Sequence, residues 1–326
     1  MMNPLRSTNN KTFKIQKTKI DEVINEIVIK LFENDITELS PDITGSSKYS
    51  YPIIEELSSK YNIRVETLLN EMVKKDFLKR KVYDKFVICP KCGGSRFTVK
   101  FLCPSCGSIN VERITLFSHI SCGYIGILEE TREDGKYICP RCKKPLGIMG
   151  KDWIKIGSTF RCKDCGASFH IPGTRFYCID CGGEFNYNEV VYKNIYKYVV
   201  NTIKVKEIYN QYLLGLVEKY LVKNGYKVKR DSTIKGLSGI PHVIPILAKK
   251  NSSETIAIHT LLSEEDEELS AKILGIYGIA LDTPEILHLI LGVKIIISLE
   301  GKLQNVKLIK GNNADELLQK LSEYVK

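Results

Sequence analysis

The chain has 326 residues, 43% hydrophobic and 26% charged, which allows several packed cores and excludes a low-complexity chain. No apolar run reaches the roughly 20 residues that span a bilayer, and the first residues lack the apolar stretch of a signal peptide, so a cytoplasmic protein with no membrane partner is expected. The formal charge is +10. That charge is offset if the eleven cysteines are ionised, which argues against a uniformly basic nucleic-acid binder. Lys and Glu are plentiful while Gln is confined to Gln16, Gln211, Gln304 and Gln319, a composition that leans towards a thermophile.

Residues 1–49 read as a tail carrying one amphipathic helix, because Ile20, Val23, Ile24, Ile27 and Leu31 fall on one face. Ser40-Pro41 and Thr44 to Ser47 break the pattern. Residues 50–88 then predict a helix from Ile53, a turn near Tyr61, a helix over Val65–Lys75, and a β-hairpin turning at Asp84-Lys85. That order is the order of a winged helix, an α+β fold whose second helix can enter a major groove while its wing touches phosphates. Lys74, Lys75, Lys79, Arg80 and Lys81 cluster where such a helix ends and the wing begins, and are candidate contacts to duplex DNA. Residues 1–88 hold fifteen basic and thirteen acidic side chains, so a docking or structural module is the competing reading.

Residues 89–190 hold every cysteine. Ten form CxxC pairs: Cys89/Cys92, Cys103/Cys106, Cys139/Cys142, Cys162/Cys165 and Cys178/Cys181. Cys122 completes a sixth knuckle with His119, which gives twelve ligands, the number for three closed tetrahedral Zn²⁺ sites. Gly93, Gly107, Gly123, Gly166 and Gly182 suit the positive-φ turn behind each knuckle. Sequential pairing of knuckles predicts three zinc ribbons, each on one short hairpin; crossed pairing of the first knuckle with the third is the alternative. With four protein ligands at each ion no position is left for water, so structural zinc is expected. The succession CPKCGG, CPSCGS, HISCGYIG, CPRCKKPLGIMGKDW and FRCKDCGASFHIPGTRFYCIDCGGEF resembles the Thaumarchaeal output domain, with Leu146, Gly147, Gly150, Asp152 and Trp153 its most specific phrase. The resemblance implies the output end of an archaeal signalling or regulatory protein.

Residues 191–326 contain no cysteine and read as α/β: a helix over 205–224, strands at 226–229, 243–249 and 255–262, a helix near 267–277, strands at 294–299 and 305–310, and a final helix at 314–324. This order, with the phrase GLSGIPHVIPILAKK, resembles the restriction-endonuclease-like PD-(D/E)XK fold. Gly236, Gly239 and His242 agree with that family. The resemblance places the metal-binding Asp on Pro245 and the Glu-x-Lys on His259, Thr260 and Leu261, so it implies a nuclease-like domain without its catalytic residues. Glu218 and Asp231 are the carboxylates left if that alignment is shifted. His242 and His259 could meet across adjacent strands, though a packed strand histidine is the simpler reading.

Between Lys193 and Lys235 ten basic residues face three acidic ones, and Lys227, Lys229, Arg230 and Lys235 are candidate phosphate contacts. Glu264 to Glu268 form an acidic run. The expectation is a multidomain, non-catalytic, DNA-associated regulator. The alternatives are a metal-dependent nuclease and a scaffold binding transcription or ribosomal proteins.

Overall fold

The computed structural model describes residues 5–44, 48–133, 136–250, 254–262, 269–295 and 303–325. In chain order the elements are α1 (Leu5–Glu33), β1 (Glu38–Leu39), β2 (Asp42–Thr44), β3 (Lys48–Ser50), α2 (Pro52–Tyr61), α3 (Val65–Lys74) and β4 (Leu78–Ile88). The cysteine-bearing region holds β5 (Phe97–Leu102), β6 (Val111–His119), β7 (Tyr124–Ile127), β8 (Arg132–Glu133), β9 (Lys136–Tyr137), β10 (Trp153–Cys162), β11 (Ser168–Phe169), β12 (Gly173–Cys178) and β13 (Glu184–Asn186). The chain continues through β14 (Val191–Val200), α4 (Thr202–Lys223), β15 (Lys227–Lys235), β16 (Pro241–Lys249) and β17 (Thr255–Leu262). It ends with α5 (Leu269–Asp282), β18 (Leu287–Val293), β19 (Val306–Gly311) and α6 (Ala314–Leu321). The acidic run Glu264 to Glu268 and most of the strand expected at 294–299 lie outside the described residues.

The described residues of Met1–Asp42, Ser50–Lys81 and Tyr196–Lys326 form one compact unit, and those of Ile43–Tyr49 and Val82–Ile195 a second. In the first unit Val23, Ile24, Ile27, Val28 and Leu31 are buried, the stripe that the helical period requires. They pack α1 against α4 and against α2 and α3. Phe32 stacks on the buried Tyr209 of α4 at 4.0 Å, and the Tyr209 hydroxyl donates to Glu33 Oε1 (3.1 Å). Burial, and then the Glu33 charge, push that phenol far above its usual range. Residues 18–33 thus pack within this unit.

The last carbonyls of α1 are taken by a side chain distant in sequence. Lys294 Nζ donates to Phe32 O (2.9 Å) and Glu33 O (3.0 Å) and pairs with Asp35 Oδ1 (2.6 Å). A cation at this end also complements the helix dipole.

The hairpin expected at Asp84-Lys85 does not form. Residues 78–88 run as one continuous strand because neither residue supplies a positive-φ turn, and β4 instead pairs with β14 in a sheet ordered β1-β14-β4. The C-terminal sheet has the order β15-β16-β17-β18-β19, antiparallel through β17 and parallel beyond it, where α5 makes the crossover. Leu287–Val293, a nearly continuous buried run, is a parallel strand absent from the expected elements.

His259 of β17 and His288 of β18 are both buried, with His259 Nε2 3.0 Å from His288 Nδ1. His259 meets His288 within hydrogen-bond distance rather than His242. Thr283 Oγ1 donates to Ile279 O (2.7 Å), so it accepts from His288 Nε2–H (2.9 Å); His288 Nδ1 then accepts from His259 Nε2–H. Burial, and then the neighbouring imidazole, hold His259 down at about 3, and burial holds His288 down at about 4. An unfolded histidine takes its proton near 6.5. The unfolded chain therefore binds more protons below that pH, and this part of the stability is complete above 6.5 and lost as the pH falls towards 4. The urea midpoint of the first unit, followed by far-ultraviolet circular dichroism, is expected to fall between pH 6.5 and 5, where ordinary carboxylates stay ionised. Replacing both histidines by leucine flattens that interval.

Candidate metal centres

Each knuckle is built by a short turn in which the first ligand residue's carbonyl accepts an N–H four residues on. Gly93 donates to Cys89 O, Gly107 to Cys103 O, Gly123 to His119 O, Gly166 to Cys162 O and Gly182 to Cys178 O, all at 2.8–3.0 Å. These five glycines have φ between 67° and 73°, as the turn demands. The remaining knuckle, Cys139/Cys142, places Lys143 in the same position at φ 58°, a conformation open to a non-glycine residue at some cost in strain.

The twelve expected ligand residues come together in three groups: Cys89, Cys92, Cys178 and Cys181; Cys103, Cys106, Cys162 and Cys165; His119, Cys122, Cys139 and Cys142. Within each group the donor atoms lie within 4.8 Å of one another. The pairing is nested, first knuckle with sixth, second with fifth, third with fourth. Sequential pairing holds for the third and fourth knuckles and is corrected for the other four, and the crossed pairing of the first knuckle with the third is corrected as well; only the third group sits within one local segment. The physical reason is the strand register. β5 runs antiparallel to β12 with Phe97 opposite Cys178, and β6 antiparallel to β10 with Val111 opposite Cys162. The outgoing and returning chain therefore face each other at every knuckle.

A tetrahedral ion about 2.3 Å from each sulfur sets neighbouring sulfurs about 3.8 Å apart. Cys89–Cys181 and Cys92–Cys178 are separated by 3.8 and 3.6 Å, Cys103–Cys165 and Cys106–Cys162 by 3.7 Å each, and Cys122–Cys139 by 3.6 Å. His119 Nδ1 lies 3.2 Å from Cys122 Sγ and 3.4 Å from Cys142 Sγ. The donor sets fit metal ions, and their soft sulfur-rich chemistry is compatible with zinc.

Burial raises the Cys89 thiol, but the N–H groups of Cys92 and Lys91 outweigh it and bring the group down to about 7. Cys103 is brought to about 7 against burial by the N–H groups of Cys106 and Ser105, and Cys139 to about 6 by those of Cys142 and Arg141. At Cys92 the Gly94 N–H pulls downward, yet the crowd of neighbouring sulfurs pushes the group up to about 12. A divalent ion relieves that crowding.

Several supporting residues escaped the sequence reading. Asp180, inside CIDC, is held by Arg96; Asp164, inside CKDC, accepts from Ser108 Oγ (2.5 Å) and Asn110 Nδ2 (2.7 Å). Ile179 N donates to Arg96 O and Lys163 N to Asn110 O, each at 2.9 Å. Arg96 and Asn110 both stand four residues after the outgoing knuckle, and both aspartates one residue before the last returning cysteine. That repeated offset was the available signal for nesting. At the third group Ser121 Oγ lies 3.1 Å from His119 Nε2, a partner for the nitrogen turned away from the sulfurs. The phrase around Trp153 closes the same group. Asp152 Oδ2 accepts Ile148 N–H (2.6 Å), Gly147 leaves no room beside that carboxylate for a Cβ, Gly150 turns at φ 91°, and Trp153 stands edge-on to the buried Phe117.

The candidate phosphate contacts are scattered in character. Lys74 pairs with Glu71 (2.5 Å) and Lys75 with Asp21 (2.8 Å), while Arg80 lies over the Tyr196 ring. Lys79 and Lys81 are exposed on β4. On β15 Lys227, Lys229 and Lys235 are exposed, but Arg230 is tied to Glu218 (2.8 Å) and Gln211. β15 is an edge strand, where lysines also discourage pairing with another sheet. His242 Nε2 lies 2.6 Å from Asp282 Oδ2, which also accepts from Ser238 Oγ (2.7 Å). The Ser238 hydroxyl, His242 and the Ser238 N–H bring Asp282 down to about 2. Gly236 leaves space for this carboxylate, so the glycine-rich turn is an Asp282 clamp.

The nested pairing separates cleanly from the sequential one by metal counting. Mass-spectrometric metal analysis is expected to find three zinc ions per wild-type chain. The pair Cys89→Ser with Cys178→Ser keeps two, and the pair Cys89→Ser with Cys103→Ser keeps one; sequential pairing gives one and two instead.

No curated protein matches the chain. Solved structures that resemble it include a protein of unknown function, AF1548, at 16% identity over 33% of this chain and 65% of that one, with a TM-score of 0.26. Another is the half-complex of Thermococcus gammatolerans McrB hexamers with bound McrC (10% identity, 43% and 36% covered, TM-score 0.26). A third is a repair endonuclease from Pyrococcus abyssi (8% identity, 79% and 91% covered, TM-score 0.20). The chain spans less than two thirds of the length of the first two, and likenesses this distant carry no argument about fold or function. The sequence model of Thaumarchaeal output domain 1 covers residues 15–200, more than half of the chain, and the protein belongs to that family.

Proposed function

We propose that the protein is a non-catalytic, DNA-associated regulator that carries three structural zinc ions. One observation carries the reading. α1, β1, α2, α3, β4 and β14, with the sheet order β1-β14-β4, follow the helix–strand–helix–helix–strand–strand succession of a winged helix. The segment between β4 and β14, where a wing belongs, is enlarged into the whole zinc region. Lys79 and Lys81 stand on the strand that enters it, where a wing's phosphate contacts would begin. α3 exposes Glu66 and Asn70 beside Lys74, a mixed face that suits few base contacts.

The C-terminal order α4, β15, β16, β17, α5, β18 supports a restriction-endonuclease-like domain, and its chemistry supports an inactive one. Pro245 has no donor for a metal, His259 is buried against His288, and Thr260 Oγ1 donates to Asn210 Oδ1 (2.6 Å). Mg²⁺-dependent cleavage abolished by Glu218→Gln or Asp231→Asn would replace this reading with the nuclease one.

A scaffold role has its own supporting observation. The zinc region exposes many large apolar side chains, among them Ile171 (82%), Ile148 (66%), Ile109 (64%) and Ile179 (61%). Contiguous apolar surface marks protein partners more often than phosphates, and these side chains are its candidates.

Fluorescence anisotropy with a labelled duplex decides between them. Binding is expected to weaken steeply from 50 to 200 mM salt, and Lys79→Ala with Lys81→Ala to lower the log–log salt slope by about 2. Absence of duplex binding at the lower salt, with a stoichiometric complex formed on a purified transcription or ribosomal protein, supports the scaffold.

A further inference from the structure

Beside the end of α1 lies a recess of about 340 Å³, within the range of small-ligand sites. Leu31 and Phe32 of α1, Val200 at the end of β14 and Val205 of α4 supply its apolar wall. Two ammonium groups line it, and they differ. Lys294 has three protons and three acceptors, Phe32 O, Glu33 O and Asp35 Oδ1, so it is already committed to closing α1. Lys206 also lines the recess, is half-buried, and has no hydrogen-bond or ion-pair partner among the described residues. An ammonium with no protein partner is open to the counter-charge of a guest.

The charge balance around the recess agrees. Lys206 and Lys294 face a single carboxylate, Asp35, which Lys294 holds at 2.6 Å. α4 begins at Thr202 on the rim, and its Asn201 cap takes only the Lys204 N–H, so the positive end of a 22-residue helix adds to the lysine. The Thr37 and Thr202 hydroxyls offer further hydrogen bonds at the mouth.

We propose that this recess binds a small organic anion, a carboxylate or sulfonate on an apolar body, with Lys206 taking the anionic group and the Leu31–Val205 wall taking the body. The site is independent of the DNA reading, since none of its residues belongs to the proposed phosphate contacts.

The test uses the full, zinc-loaded chain and two dyes of matched shape. 8-Anilinonaphthalene-1-sulfonate carries the anion, and N-phenyl-1-naphthylamine lacks it. The sulfonate is expected to bind one per chain, to be displaced by octanoate and not by octanol, and to bind about tenfold more tightly than the neutral dye, as one charge-assisted contact predicts. Lys206→Met, which keeps the apolar stem, erases that preference while leaving neutral-dye affinity within about twofold, and Lys206→Arg restores it. Thr202→Trp, at an exposed rim position, fills the mouth and removes both dyes. The proposal is overturned if Lys206→Met leaves the sulfonate affinity unchanged, if Thr202→Trp leaves both dyes bound, or if the wild type binds the two dyes equally.

Discussion

Four donors able to hold one ion, drawn two from an outgoing strand and two from a returning one, are the constraint on which the cysteine-bearing region depends. Between residues 82 and 195 the sheets have three or four strands at most, and the apolar clusters are small. One gathers Phe97, Phe176 and Phe185 around Cys89 and Cys178; another gathers Leu146, Phe117 and Trp153 around Cys122, Cys139 and Cys142. In both, the cysteines are members of the core. Clusters of this size do little to offset the entropy of ordering more than a hundred residues, and an ion held by these donors would add its binding free energy to folding.

The first unit is stabilised differently. Its sheet is covered on one face by α4 and α6, while Leu261, Ile290 and Val306 pack with α5. α1 is joined to it by the Phe32–Tyr209 stack and by Lys294, which reaches back across 262 positions of sequence to the end of the helix. Conventional burial holds this unit, and its polar exceptions are fully bonded. The His259–His288–Thr283 chain uses every proton it has in one direction, and the Asp282 clamp gathers Ser238 and His242 onto one carboxylate.

The ligands were legible in the sequence because two thiolates that share an ion must stand a few residues apart, and His119 was legible because Cys122 lacked a companion at that spacing. The pairing was not. A knuckle states that it needs a second knuckle and says nothing of which one; the choice is made by the register of β5 on β12 and of β6 on β10, a long-range property. The same limit applies to β4, whose partner β14 lies a hundred residues away, so a local hairpin was the reading that periodicity favoured. Val23, Ile24, Ile27 and Leu31 fixed an apolar helix face correctly, yet nothing local says that α4 covers it. Leu287–Val293 went unread because a strand buried on both faces has no alternation.

Nesting also gives the metal region a direction in time. The facing donors of the third, second and first groups are 17, 56 and 86 positions apart. Closing the widest of these from an open chain costs about 1.4 kcal/mol more in loop entropy than closing the narrowest, and far more residues must first find one another. Once the His119 group is closed, the free chain left to close at Cys106–Cys162 shrinks to the short flanking strands, and the same then holds at Cys92–Cys178. Loop entropy therefore favours ion capture from the innermost group outward, like a fastener drawn from its closed end.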